Sequence, residues 1–212
     1  VFIISAGYLP GMDYLSFLGK DRVFRKLINL HGPMELRKRN KIYLRLCGSI
    51  MSQQLSVKVA EVIYNRFLAL YGKREPTPQQ ILDTPPETLR AIGLSNAKTQ
   101  YIYNVCRFFT ENKLTDRRIH AMENEELIAL LTVIKGVGRW TVEMILMFTL
   151  GREDVFAVDD LGIRQAMIRL YKLDASDPRA LKKELLRISE KWSPYRTYAC
   201  LYLWKHKDNT PS

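Results

Sequence analysis

A chain of 212 residues is long enough to bury a real core and to form one large domain or two small lobes. Its 47% hydrophobic and 26% charged residues are ordinary for a soluble globular protein, and no stretch approaches membrane-spanning length without charges. Lys and Arg number 33 against 22 Asp and Glu, and the net charge of +11 favours a polyanionic partner, nucleic acid first, over a basic surface with no task.

The opening "VFIISAG" is too short for a signal-peptide core and lacks a basic flank, so no export is expected and the chain reads as cytoplasmic. Helical periodicity then runs almost throughout. It begins in "DRVFRKLINLHG" and "IYLRLCGSIMSQQ". In "SVKVAEVIYNRFLALYG", Val59, Ile63, Phe67 and Leu70 share one face and Gly72 is the stop. In "EPTPQQILD", Thr77 caps a helix whose first position is Pro78. In "NAKTQYIYNVCRFF", Tyr101, Ile102, Val105, Cys106 and Phe109 form an apolar face. "NKLTDRRIHAM" is the least periodic stretch and the expected crossing point between lobes. "NEELIALLTVI", "TVEMILMFTLG", "DLGIRQAMIRLY", "PRALKKELLRISEKW" and "YRTYACLYLWKH" complete about ten helices. No segment alternates as a half-buried strand does, so the fold class is all-α. Cys47, Cys106 and Cys200 are far apart in apolar patterns and read as reduced core residues, unable to build a zinc or iron–sulfur site.

Two features carry chemistry. "IKGVGRW" places two glycines between helices, and the amides of Gly136, Gly138 and Arg139 beside a helix start could bind a phosphate. A tight turn that binds nothing has the same appearance, and the basic charge tips the reading toward phosphate. Twenty residues after Trp140 stand two adjacent acids, Asp159 and Asp160, either catalytic or simply helix caps.

Together these segments resemble the helix-hairpin-helix base-excision DNA glycosylases, "IKGVGRWT" matching the hairpin and "DVFAVDDLGIRQ" the aspartate loop. Within that superfamily the chain is similar to the alkyl-base branch, the DNA-3-methyladenine glycosylase II type. The resemblance extends through "HGPMELRKR", "SIMSQQLSVKVAEVIYNRF", "PTPQQILDTPPETLRAIGLSNAKTQYI" and "KWSPYRTYACLYLWKH", most of residues 20–206. It implies a single glycosylase domain over residues 1–212, all-α and two-lobed, with the active-site cleft between the lobes. The expected lobes are 40–118, and 1–39 with 119–212, the second carrying the hairpin and the catalytic Asp.

The implied reaction is hydrolysis of the N-glycosidic bond of alkylated bases, of the 3-methyladenine and 7-methylguanine type, in duplex DNA. Its oxocarbenium-like transition state needs a fixed carboxylate beneath the anomeric carbon. By spacing, Asp160 matches the family's catalytic position, leaving Asp159 as neighbour and helix cap. Strand-cutting relatives carry a Schiff-base lysine directly after the Gly-x-Gly-Arg; this chain has Trp140 there, and Lys135 precedes the hairpin, so no lyase activity is expected. Trp140 and Trp204 are the candidate base pocket, since an alkylated purine is cationic and stacks on an aromatic face. Trp192, Tyr195, Tyr198 and Tyr202 read as core.

Base flipping leaves a gap in the duplex, and the resemblance places the wedge at Gln54 or Leu55. Gly136, Gly138, Arg139 and Thr141 are the expected phosphate contacts, while the basic run "LRKRNK" has the look of a solvated face. The family often holds a monovalent cation on hairpin carbonyls, here those of Ile134 and Val137; no other cofactor is expected. Damaged double-stranded DNA is the expected partner of a monomer. The chain departs from some relatives in having Met144, Leu161 and Lys205 where extra pocket aromatics would fall. About twenty residues precede "DRVFRKLINLHG" in this sequence, so the β-rich N-terminal domain of two-part members is not expected here. A non-catalytic DNA-binding module and a glycosylase of different lesion specificity are the alternatives.

Overall fold

The computed structural model describes residues 13–208; the "VFIISAG" segment lies outside the described residues. In chain order the helices are α1 (Asp13–Leu18), α2 (Arg22–His31), α3 (Ile42–Ser52), α4 (Val57–Ala69), α5 (Pro78–Leu82), α6 (Pro86–Ala91) and α7 (Asn96–Glu111). There follow α8 (Asp116–His120), α9 (Asn124–Thr132), α10 (Arg139–Phe148), α11 (Leu161–Tyr171), α12 (Pro178–Glu190) and α13 (Arg196–Asp208). The described residues contain no strand, as the missing alternation predicts, and none of their helices is long and apolar enough to cross a membrane. The excess over ten helices comes from one-turn pieces such as α1, α6 and α8, too short to show a period.

The chain divides into two compact units, residues 37–151 and residues 1–36 with 152–212. The boundary expected near 118 is not where they part. The stretch 112–122 is tied within the 37–151 unit, because the Asp116 carboxylate accepts from the amides of Lys41 (2.6 Å) and Ile42 (3.1 Å) at the start of α3. The hairpin segment consequently lies in the same unit as Gln54 and Leu55, and Asp160 in the other.

In the 37–151 unit α3 is the central element, packed on α4, α7 and α10. Its buried Leu44, Leu46, Cys47 and Ile50 meet a core that includes Phe67, Ile81, Ile102 and Cys106. The predicted start of α5 is a full capping box: Thr77 Oγ1 accepts from the Gln80 amide, and Gln80 Oε1 accepts from the Thr77 amide. In the other unit α13 packs on α11 and α2. Trp192 is enclosed by Phe24 and Phe156, and Tyr14 stacks on Tyr198 at 3.8 Å. Trp192, Tyr198 and Tyr202 are buried as expected, while Tyr195 is half-buried. All three cysteines are buried free thiols.

Candidate functional site

The hairpin between α9 and α10 closes on a Val137 amide donating to Ile134 O at 2.9 Å. Its two glycines do different work. Gly136 has φ +104 and lies so close to Tyr101 that an added Cβ would sit 2.2 Å from the ring. Gly138 has an ordinary φ of −94, caps α10 without a side chain, and would direct a Cβ into open space. Only Gly136 is demanded by the chain's own packing.

Arg139, the first residue of α10, pairs its guanidinium with two carboxylates. It donates to both Glu125 carboxylate oxygens (3.1 and 2.7 Å) and, through Nε, to Glu143 at 3.0 Å. That hydrogen bonding holds the Glu125 carboxyl below the usual range and raises the Arg139 pKa. The Arg139 side chain remains 51% exposed. Thr141 is 3% exposed, so its hydroxyl has little surface to offer a phosphate, contrary to expectation. Trp140 is 43% exposed, not the core residue that a helical Trp usually is. The side chains of Ile134 and Val137 are buried, and the Ile134 carbonyl already accepts one amide. The described residues contain no group of three or more His, Cys, Asp or Glu able to hold a metal, so a cation there would depend on carbonyls.

In the same unit, Gln53 to Ser56 link α3 to α4. Gln54 is exposed with φ 58, and Leu55 is half-buried with its amide on Ser52 O at 3.1 Å.

In the second unit residues 152–160 are laced to α13. Thr197 donates its hydroxyl to Arg152 O (2.6 Å) and accepts the Val155 amide (3.1 Å), and the Thr197 amide donates to Glu153 O at 2.8 Å. Arg196 pairs with Asp154 through Nε and Nη2. Two turns along, Trp204 Nε1 donates to Asp160 Oδ1 at 2.8 Å. The same oxygen accepts the Ile163 amide at 2.9 Å. Asp160 is thus the N-cap of α11, and the expected assignment of the cap to Asp159 is corrected. Asp159 faces Lys182 instead, at 2.7 and 2.9 Å, with about half of each side chain exposed. Gly162 keeps this corner open, since a Cβ there would stand 3.2 Å from both Asp160 Oδ1 and Trp204 Cδ1.

Of the positions where extra aromatics were expected in relatives, Leu161 is 66% exposed, Met144 is half-buried, and Lys205 reaches His31 O at 3.4 Å. Sequence reasoning missed Glu125 and Glu143 as holders of Arg139. The spacing of Glu143 four residues after Arg139 on one helix face was the available signal. Thr197 carried no local signal, because its partners lie 42 and 45 residues away.

Residues 47–192 match the family described as HhH-GPD superfamily base excision DNA repair protein. DNA-3-methyladenine glycosylase 1 of Schizosaccharomyces pombe is 38% identical over 192 residues, covering 88% of this chain and 83% of that protein. The crystal structure of DNA-3-methyladenine glycosidase from Bacillus halodurans superposes with a TM-score of 0.82 at 34% identity, over 95% of this chain and 92% of that one. The Schizosaccharomyces pombe 3-methyladenine DNA glycosylase in complex with abasic DNA gives a TM-score of 0.81 at 36% identity, over 92% and 96%. With its hairpin, its aspartate-capped helix and a family match over more than half its length, the chain belongs to the HhH-GPD superfamily of base excision DNA repair proteins.

Proposed function

We propose that this chain is a monofunctional DNA glycosylase that flips an alkylated base out of duplex DNA and hydrolyses its N-glycosidic bond. The observation that carries the reading is the anchoring of Asp160. Two N–H donors, from Ile163 and Trp204, fix Oδ1 and so set the orientation of the carboxylate. A carboxylate held in place can stabilise an oxocarbenium-like sugar and direct water without reorganising at the moment of reaction. Asp159 is instead met by the long, half-exposed side chain of Lys182.

Alkylation at N3 or N7 makes the base cationic and a good leaving group. Such a base can be selected by stacking on an aromatic face, and exposed Trp140 is the proposed face in the 37–151 unit, half-buried Trp204 the proposed one in the other. Trp140 also stands where a Schiff-base lysine would have to be, so the abasic strand is left intact. The amides of Gly136, Gly138 and Arg139 are the phosphate grip, and the open space at Gly138 leaves room for it. The turn at Gln54 and Leu55 supplies the wedge that fills the gap, through one or the other side chain. A monovalent cation on the Ile134 and Val137 carbonyls is structural in this reading, and the chemistry needs no cofactor. The enzyme acts as a cytoplasmic monomer on damaged nucleoid DNA.

The test is incubation of the protein with methylated duplex DNA in the presence of a chelator. Free 3-methyladenine or 7-methylguanine should appear, with the strand unbroken until alkali is added. Binding without base release would favour a non-catalytic module, and neutral strand breaks would rule out the monofunctional assignment.

A further inference from the structure

The turn bearing Gln54 and Leu55 is held from outside by one lysine. Lys98 lies in the first turn of α7, where the positive end of a helix dipole disfavours a cation. Its ammonium instead crosses to α3, donating to Met51 O at 3.0 Å and Gln53 O at 2.7 Å. These carbonyls belong to the last turn of α3 and its C-cap, the negative end of that helix. Lys98 is thus misplaced on its own helix and well placed on its neighbour's.

Both contacts close just ahead of Gln54, whose φ of 58 is a region non-glycine residues occupy at a cost. The turn's internal restraints are few: the Leu55 amide reaches Ser52 O at 3.1 Å, the Gln53 amide reaches Ile50 O at only 3.4 Å, and Ser52, Gln54 and Ser56 are exposed. Burial lowers the Lys98 pKa, a cost that an idle surface lysine would not bear.

We infer that Lys98 is a positioning residue for duplex opening, fixing the turn in the shape in which Gln54 and Leu55 enter the base stack. The inference rests on the wedge reading proposed above. A turn ordered in advance spares the flipping step the entropy of ordering it. The contribution should be felt where the stack must be opened, and little where it is already open.

Lys98→Met keeps the aliphatic stem and removes the donors, and Lys98→Arg restores a donor. Single-turnover excision of 7-methylguanine would be compared in a paired duplex and in a mismatched bubble. In parallel, 2-aminopurine opposite an abasic-site analogue reports unstacking on binding. Lys98→Met should lose about tenfold in the paired duplex, the worth of hydrogen bonds to a charged group, and much less in the bubble. Its fluorescence rise should fall with the duplex rate, and Lys98→Arg should recover part of both. Equal losses on both substrates, or a wild-type fluorescence rise in Lys98→Met, would overturn the inference. Should Lys98→Met not fold, Lys98→Gln takes its place in the same comparison. A Gln54→Ala/Leu55→Ala variant separates the two readings. If it leaves the fluorescence rise intact, the wedge assignment fails; if it abolishes the rise and Lys98→Met does not, only the role of Lys98 fails.

Discussion

Replacing Gly136 by alanine should damage the hairpin through packing, and the same change at Gly138 should not. At Gly136 the new methyl would sit 2.2 Å from a Tyr101 ring carbon and within 2.7 Å of two further Tyr101 atoms. That is about 1.3 Å inside the ~3.5 Å of an ordinary carbon contact, so the ring or the turn has to move. Overpacking costs about 1–3 kcal/mol, and an L side chain at φ +104 adds strain of about 1–3 kcal/mol. Taking about 3 kcal/mol for the pair, with about 2–4 °C lost per kcal/mol in a chain of this size, Tm should fall by about 6–12 °C. At Gly138 the methyl enters open space at φ −94, and only the capping preference is lost, about 1 kcal/mol or less. Thermal melts by circular dichroism decide the matter, beside a DNA-binding titration. Gly138→Ala should melt within a few degrees of wild type yet bind DNA less tightly, because its methyl occupies the space proposed for a phosphate. A Gly136→Ala protein melting with wild type, or a Gly138→Ala protein melting as low as Gly136→Ala, would refute the reasoning.

Trp204→Phe keeps an aromatic face but deletes the donor to Asp160 Oδ1; base release should slow about tenfold, the worth of a hydrogen bond to a charged group, with DNA affinity little changed. An unaltered single-turnover rate would remove Trp204 from the account of Asp160. Asp154 gives a pH-dependent prediction. Burial alone would raise its pKa, but hydrogen bonds from Arg196 and Ser193 and the guanidinium charge outweigh burial and lower it. A depressed folded pKa means the stabilisation is complete above the unfolded value of about 3.9 and is lost as pH falls toward the folded one. Asp154→Asn should therefore melt below wild type at pH 7, and the gap should begin to narrow only below about pH 4 and shrink further as pH falls through the lowered folded value; a gap that stayed constant throughout the acid range would contradict the assignment.

How far the sequence could be read depended on the range of the interaction. Features written in local spacing and residue type were legible: the Thr77 cap and Pro78 start of α5, the apolar face of α7 from Ile102 to Phe109, and the core placement of Trp192 and Tyr202. Features made by distant partners were not. The unit boundary is set in part by Asp116 holding the amides of Lys41 and Ile42 across 75 and 74 residues, which no periodicity records. The acid pair shows the same limit. Either Asp159 or Asp160 can precede a helix, and their fates are settled by Trp204 and Lys182, 44 and 23 residues downstream. Lys98 carries a local sign, a cation in the first turn of a helix where the dipole opposes it, and Arg139 and Arg196 at the starts of α10 and α13 carry the same one.

The most direct test of the central claim is base release from alkylated duplex DNA by wild type, Asp160→Asn and Asp159→Asn, each at matched DNA occupancy. The account predicts that Asp160→Asn binds the DNA yet loses about two or more orders of magnitude in rate, as when other fixed electrostatic stabilisers are removed. Asp159→Asn should stay within a few-fold of wild type, because its carboxylate is engaged by an exposed lysine. An active Asp160→Asn beside an inactive Asp159→Asn would contradict the account and move the catalytic carboxylate one residue upstream.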